Sequence, residues 1–157
     1  MENPMFKIPY GLYVIMTNVD GRDNGCISNT LGQVTVEPNQ VSLCINKLNL
    51  TCEMIQKSKV FTASIITEKA PFSLFQHFGF QSGRNVDKFK DFTACKRVAN
   101  GTMAITEGTN AYISVKVKST VDLGTHIMFI GEVTAMESFS CLLYTSPSPR
   151  TLANLVC

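Results

Sequence analysis

Two short stretches hold the residue types that could do chemistry here. The first, Asn46-Lys47-Leu48-Asn49-Leu50-Thr51, leaves an apolar run and enters a segment with helical spacing. A helix mouth presents unpaired N–H groups and about half a positive charge, so a phosphate is stabilised there, and Lys47 and the Thr51 hydroxyl would add contacts. The competing reading makes Thr51 a helix cap and Lys47 a solvated side chain. A dipole contribution of about 0.3–1 kcal/mol does not hold a ligand whose micromolar binding needs about 8 kcal/mol. An apolar slot for a ring would have to supply much of the rest. The second stretch, Gly25-Cys26-Ile27-Ser28-Asn29-Thr30 followed by Gln33-Val34-Thr35 and Pro38, could line such a slot, because small and amide residues let a flat ring approach the backbone.

Few other chemistries are open. With two histidines, His77 and His126, and no clustered carboxylates, a metal site is not expected. The six cysteines form no Cys-x-x-Cys pair and read as reduced, mostly buried thiols, which leaves a Cys-His nucleophile without specific support.

The elements that must position these residues are mostly strands. Residues 12–19 are apolar and β-branched and run into Asp20-Gly21 and Asp23-Asn24-Gly25, which is hairpin chemistry. A return strand is expected over 26–36, ended by Pro38-Asn39, and a short buried strand over 41–45. Thr51 is expected to cap a helix running through Lys57 with Glu53 in its first turn, and 60–67 returns to strand. Pro71 suits the first turn of a second helix with Phe72, Leu74, Phe75 and Phe78 as its apolar stripe. Residues 87–92 read as helical or irregular, 98–105 as a hairpin turning at Asn100-Gly101, and 112–121 and 126–136 as two long strands. Many strands interrupted by two short helices indicate a mainly β, antiparallel barrel rather than a doubly wound sheet.

The chain of 157 residues suits one domain, and 45% hydrophobic against 17% charged residues argues against disorder. A net charge of +2, scattered along the chain, points away from nucleic acid. The longest apolar run, residues 12–16, is too short to span a bilayer, so a soluble, cytoplasmic protein is expected without a membrane partner. Residues 1–140 are assigned to the domain. The segment Cys141-Leu142-Leu143-Tyr144-Thr145-Ser146-Pro147-Ser148-Pro149-Arg150 resembles a translated sequencing adapter. Residues 141–157 are therefore expected to be non-native and the domain C-terminally truncated. The alternative is a genuine Ser/Pro-rich tail.

The ordered set Gly25-x-x-Ser28-Asn29-Thr30, Gln33-Val34-Thr35-x-x-Pro38, Lys47-x-Asn49-x-Thr51, Phe61 and Ser64 resembles the flavin reductase-like, FMN-binding split-barrel family. It looks most like the branch that includes flavoredoxin and the flavin domain of high-molecular-weight rubredoxin. His77-Phe78-Gly79-Phe80-Gln81-Ser82-Gly83-Arg84, Asp87-Lys88-Phe89, Gly124-Thr125-His126 and Phe129-Ile130-Gly131-Glu132-Val133 extend the likeness over about residues 8–137. The resemblance implies a six-stranded antiparallel split barrel that forms a homodimer, with FMN in a cleft at the interface. Ser28, Asn29, Thr30 and Gln33 would bind on the flavin side, Lys47, Asn49 and Thr51 would meet the phosphate, and His126 would lie near the nicotinamide of NADH or NADPH. The 78–84 loop either covers the flavin or merely ends a helix. The implied activity is hydride transfer from NAD(P)H to FMN and onward to a flavin, a rubredoxin-like protein or another acceptor. The alternative is an FMN electron carrier with no nicotinamide site of its own.

Overall fold

A computed structural model describes residues 1–139. The proposed adapter-derived segment 141–157 lies outside the described residues. A short 3-10 turn, Pro4–Lys7, precedes strands β1 (Tyr13–Val19), β2 (Arg22–Ser28), β3 (Gly32–Thr35) and β4 (Gln40–Asn46). Helix α1 (Leu50–Ser58), β5 (Val60–Ile66) and α2 (Phe72–Gly79) follow. The described chain ends with β6 (Cys95–Arg97), β7 (Met103–Ile105), β8 (Thr109–Asp122) and β9 (His126–Ser138). The fold is mainly β and antiparallel, as expected.

The strand count differs from the expected six. Seven strands form one sheet in the order β2-β1-β5-β8-β9-β4-β3, and β6 and β7 make a separate ribbon. The single return strand expected over 26–36 is two strands broken at Asn29–Leu31, and they lie at opposite edges of the sheet. A flat seven-stranded sheet would hold its edges about 29 Å apart, whereas the link from Ser28 to Gly32 reaches at most about 15 Å. The sheet must therefore curl until its edges approach. Thr30 sits in that gap, its Oγ1 donating to the Cys44 carbonyl at 2.6 Å and lying 3.3 Å from the Cys44 N–H.

Curling explains the burial. Ile15, Leu43, Phe61, Ala63, Val115 and Phe129 point inward, and Cys52 and Ile55 of α1 plug the interior. The alternate residues of β1, Val14 and Met16, form a second cluster with Leu74 and Phe78 of α2 and Ile105 of β7. β1 is thus covered on both faces, which is why its sequence is an apolar run rather than an alternation. In the register of β8 and β9, the Cβ of any residue but glycine at position 131 would meet Lys116 O at 2.7 Å.

Local chemistry moved two helix starts. α1 is capped by Asn49, whose Oδ1 accepts the Thr51 N–H at 2.9 Å, so Thr51 is not the cap but a buried residue of the first turn. Pro71 is the N-cap of α2, one place ahead of its expected position. The expected turn at Asn100-Gly101 forms, with Gly101 at φ 86, but the hairpin's first strand is Cys95–Arg97, ahead of the expected start at residue 98.

Candidate functional site

The polar end of β2 and the mouth of α1 face a common cleft. Its larger lobe, about 440 Å³, is lined by Leu48, Leu50, Phe78 to Gly83 and Lys88. The smaller, about 180 Å³, is lined by Ser28, Asn29, Thr30, Cys44, Ile45 and His126. Cys26, Ile27, Asn46 and Asn49 border both, so the two lobes are continuous. Curling of the sheet brings residues 26–30 beside β4 and the β4–α1 turn, which no sequence proximity provides.

Five of the expected site residues meet here: Ser28, Asn29, Thr30, Asn49 and His126. His126 opens β9 opposite Asn46, and its Nδ1 lies 2.8 Å from Thr125 Oγ1. Three do not line either lobe. Lys47 is held at the rim by an ion pair with Asp122 at 2.7 Å, and that ammonium, with the Gly124 N–H, keeps the Asp122 carboxyl below its usual pKa. Gln33 lies on β3, its amide directed to Thr35 O and Asn39 Oδ1. Thr51 is fully buried behind Asn49, its Oγ1 accepting from Asn24 Nδ2 at 3.0 Å.

The 79–83 segment forms one wall of the larger lobe, while Phe78 at its start is core, 1% exposed. The helix-ending reading thus describes Phe78, while residues 79–83 face the cleft. The wall is pinned from outside. Arg22 donates to the Gly83 carbonyl, Arg84 pairs with Glu53 at 3.1 Å, and Gln81 donates to His77 O at 2.9 Å. Arg84, then Lys57, holds the Glu53 carboxyl below its usual range. Gly83 presses on Asn24, a residue 2% exposed, so closely that a Cβ would lie 2.2 Å from Asn24 Oδ1.

Sequence reasoning assigned no role to Lys88. It is 3% exposed, and its Nζ donates to the carbonyls of Gly25 at 2.8 Å and Phe78 at 2.9 Å. Burial pushes its pKa down. Cys26, beside it on the cleft floor, is pushed up by burial, against smaller opposing effects from Thr51 and Lys88. Nothing local marks Lys88 as buried. The preceding Asp87, which accepts the Phe89 N–H, looks like ordinary turn chemistry. Its burial follows only from the packing of Phe89 and Phe92 onto Phe78.

The donor set fits an anionic ring ligand: hydroxyls and amides at one end, a helix mouth at the border, one buried ammonium, and no carboxylate among the residues lining either lobe. The larger lobe falls within the ~300–1,000 Å³ of typical small-molecule sites.

Comparison with known proteins identifies the family. A high molecular weight rubredoxin of Moorella thermoacetica is 41% identical over 130 residues, which span 83% of this chain and 56% of that protein. The chain thus spans a little over half the length of that relative. A ferric-chelate reductase (NAD(P)H) of Archaeoglobus fulgidus is 35% identical over 132 residues, covering 84% of this chain and 78% of that one. The solved structure of flavin reductase PheA2 superposes with a TM-score of 0.72 at 27% identity, covering 88% of each chain. The family model described as "Flavin reductase like domain" matches residues 5–152, and with the curled sheet and its cleft this chain belongs to that family.

Proposed function

We propose that the chain binds FMN in this cleft and reduces it with NADH or NADPH, passing the electrons to a second acceptor. The observation that carries the reading is the continuity of the two lobes between the β2 end and the α1 mouth. FMN supplies an N5 that accepts a hydride and a ring system that stores two electrons. The protein's work is placement. Ser28, Asn29 and Thr30 offer hydroxyl and amide groups to the ring edge, and the α1 mouth with Asn49 receives the phosphate, to which Lys47 would be recruited from Asp122. Thr51 supports that mouth from behind through Asn24 rather than by facing the ligand. Gln33 would act only if β3 met the ligand from outside the cleft. His126, at the edge of the smaller lobe, is suited to orient the nicotinamide against the ring.

The acceptor is proposed to be a flavin, a rubredoxin-like protein or another electron carrier. The name of the Moorella thermoacetica relative favours a protein acceptor. We also propose a homodimer. Met5, Phe6, Ile8 and Tyr10 are exposed and line a depression of about 820 Å³ that shares Asn29 and Thr30 with the cleft, so a second copy there would bury apolar surface beside the flavin. No helix among the described residues is long and apolar enough to cross a membrane. The unpaired Cys26, Cys44, Cys52 and Cys95 support a cytoplasmic setting.

Mixing FMN-loaded protein anaerobically with NADH, then NADPH, tests the activity. Bleaching of the yellow colour within seconds supports the reductase, whereas colour that persists with both leaves an electron carrier. Protein that stays colourless after desalting from excess FMN would overturn the flavin reading.

A further inference from the structure

Lys88 is an uncommon object: an ammonium 3% exposed, in a cleft wall, held only by neutral carbonyls. No ion pair involves it among the described residues, and no carboxylate lines either lobe. The titratable groups packed around it are Cys26 on β2 and His77 on α2, whose Nε2 bonds the Lys88 carbonyl. Neither is an anion near neutral pH, since burial keeps the Cys26 thiol protonated. A buried charge without a counter-ion costs free energy, and that cost is recovered when an anion enters the same cavity. The two carbonyls leave one of the three ammonium hydrogens uncommitted.

We infer that Lys88 makes the cleft select the anionic, two-electron-reduced form of the flavin ring over the neutral oxidised form. The inference rests on the flavin reading above. The balance is simple. A hydride carries two electrons and one proton from the nicotinamide to the ring, leaving an oxidised, cationic nicotinamide and a ring with one net negative charge. Lys88 meets that charge, so no second proton is required. The ring, rather than the phosphate, is assigned to Lys88 because Ile27 borders both lobes: a ring with one edge at Ser28, Asn29 and Thr30 extends along Ile27 into the larger lobe, whose lining includes Phe80 and Lys88. The helix mouth is already available to a phosphate.

The test compares the affinity of flavin-free protein for oxidised FMN and for dithionite-reduced FMN under anaerobic conditions. An opposite charge at close range shifts such equilibria by about tenfold or more, so the wild type should bind the reduced form at least about tenfold more tightly. The same preference should appear as a two-electron potential about 30 mV or more above that of free FMN. K88R should keep the preference, and K88M or K88Q should lose it while still binding oxidised FMN. Equal affinity of the wild type for the two forms overturns the inference without any variant. So does a folded K88M or K88Q that keeps the preference, or one that weakens both forms equally, as loss of a phosphate contact would. Wild-type protein that binds neither form fails differently, by removing the flavin reading itself.

Discussion

Adding one methyl group at Gly83 tests whether the cleft wall and the helix mouth form one mechanical unit. The alanine Cβ would lie 2.2 Å from Asn24 Oδ1 and 2.7 Å from Asn24 Cγ. Asn24 has little room to yield, being 2% exposed with its Nδ2 on Thr51 Oγ1. The Gly83 backbone is held in turn by Arg22. Overpacking costs about 1–3 kcal/mol, and losing the amide–hydroxyl bond about 0.5–1.5 kcal/mol, so G83A should lose about 2–4 kcal/mol. That corresponds to a fall in Tm of roughly 5–15 °C for a chain of this size. Thr51 lies in the first turn of α1, so FMN affinity should fall as well, with the loss concentrated in the phosphate: FMN weakened more than riboflavin. Thermal melts of flavin-free protein, with titrations by both flavins, read this out. The double variant N24A/G83A isolates the cause. If the clash is responsible, the two substitutions together cost less than the sum of each alone, by about 1 kcal/mol or more. A G83A protein that melts within about 1 °C of wild type would refute the reasoning, as would strictly additive costs in the double variant.

Other outcomes follow from the same geometry. Asn49→Ala removes the α1 cap and should cost about 1 kcal/mol in urea unfolding, while Asn49→Ser keeps most of that stability; FMN titration of the two then shows whether the amide also contacts the phosphate. Asp122→Asn releases Lys47 from an exposed ion pair, so the urea unfolding midpoint should stay unchanged while FMN affinity rises by up to about fivefold, measured by calorimetry. His126→Ala should lower kcat/KM for NADH by about tenfold or more and leave the FMN Kd unchanged, as orientation of the second substrate requires; an equal loss in both would assign His126 to the flavin instead.

Much of the architecture was legible because it is local. The turn residues at Asp20-Gly21 and Asn100-Gly101 report short-range geometry, and so does the apolar stripe of α2, of which Leu74 and Phe78 are buried while Phe72 is exposed. The helix start was misplaced by two residues because Asn49 and Thr51 are both competent caps, and only the burial of Thr51 beside Asn24 separates them. The expected 26–36 strand could not be divided in advance, since nothing in Ser28-Asn29-Thr30 announces that the chain leaves one sheet edge for the other.

Residue types alone established a mainly β domain with a polar strand end and a helix mouth suited to a ring and a phosphate. Those are properties of neighbours along the chain. Tertiary structure decided that the two face one cleft, that Lys47 is held by Asp122 and Thr51 turned inward, and that Lys88 lies buried in the wall. The physical reason is that curling the sheet brings together residues tens of positions apart. Whether a polar side chain meets solvent, a partner or a ligand depends on what that curling places beside it.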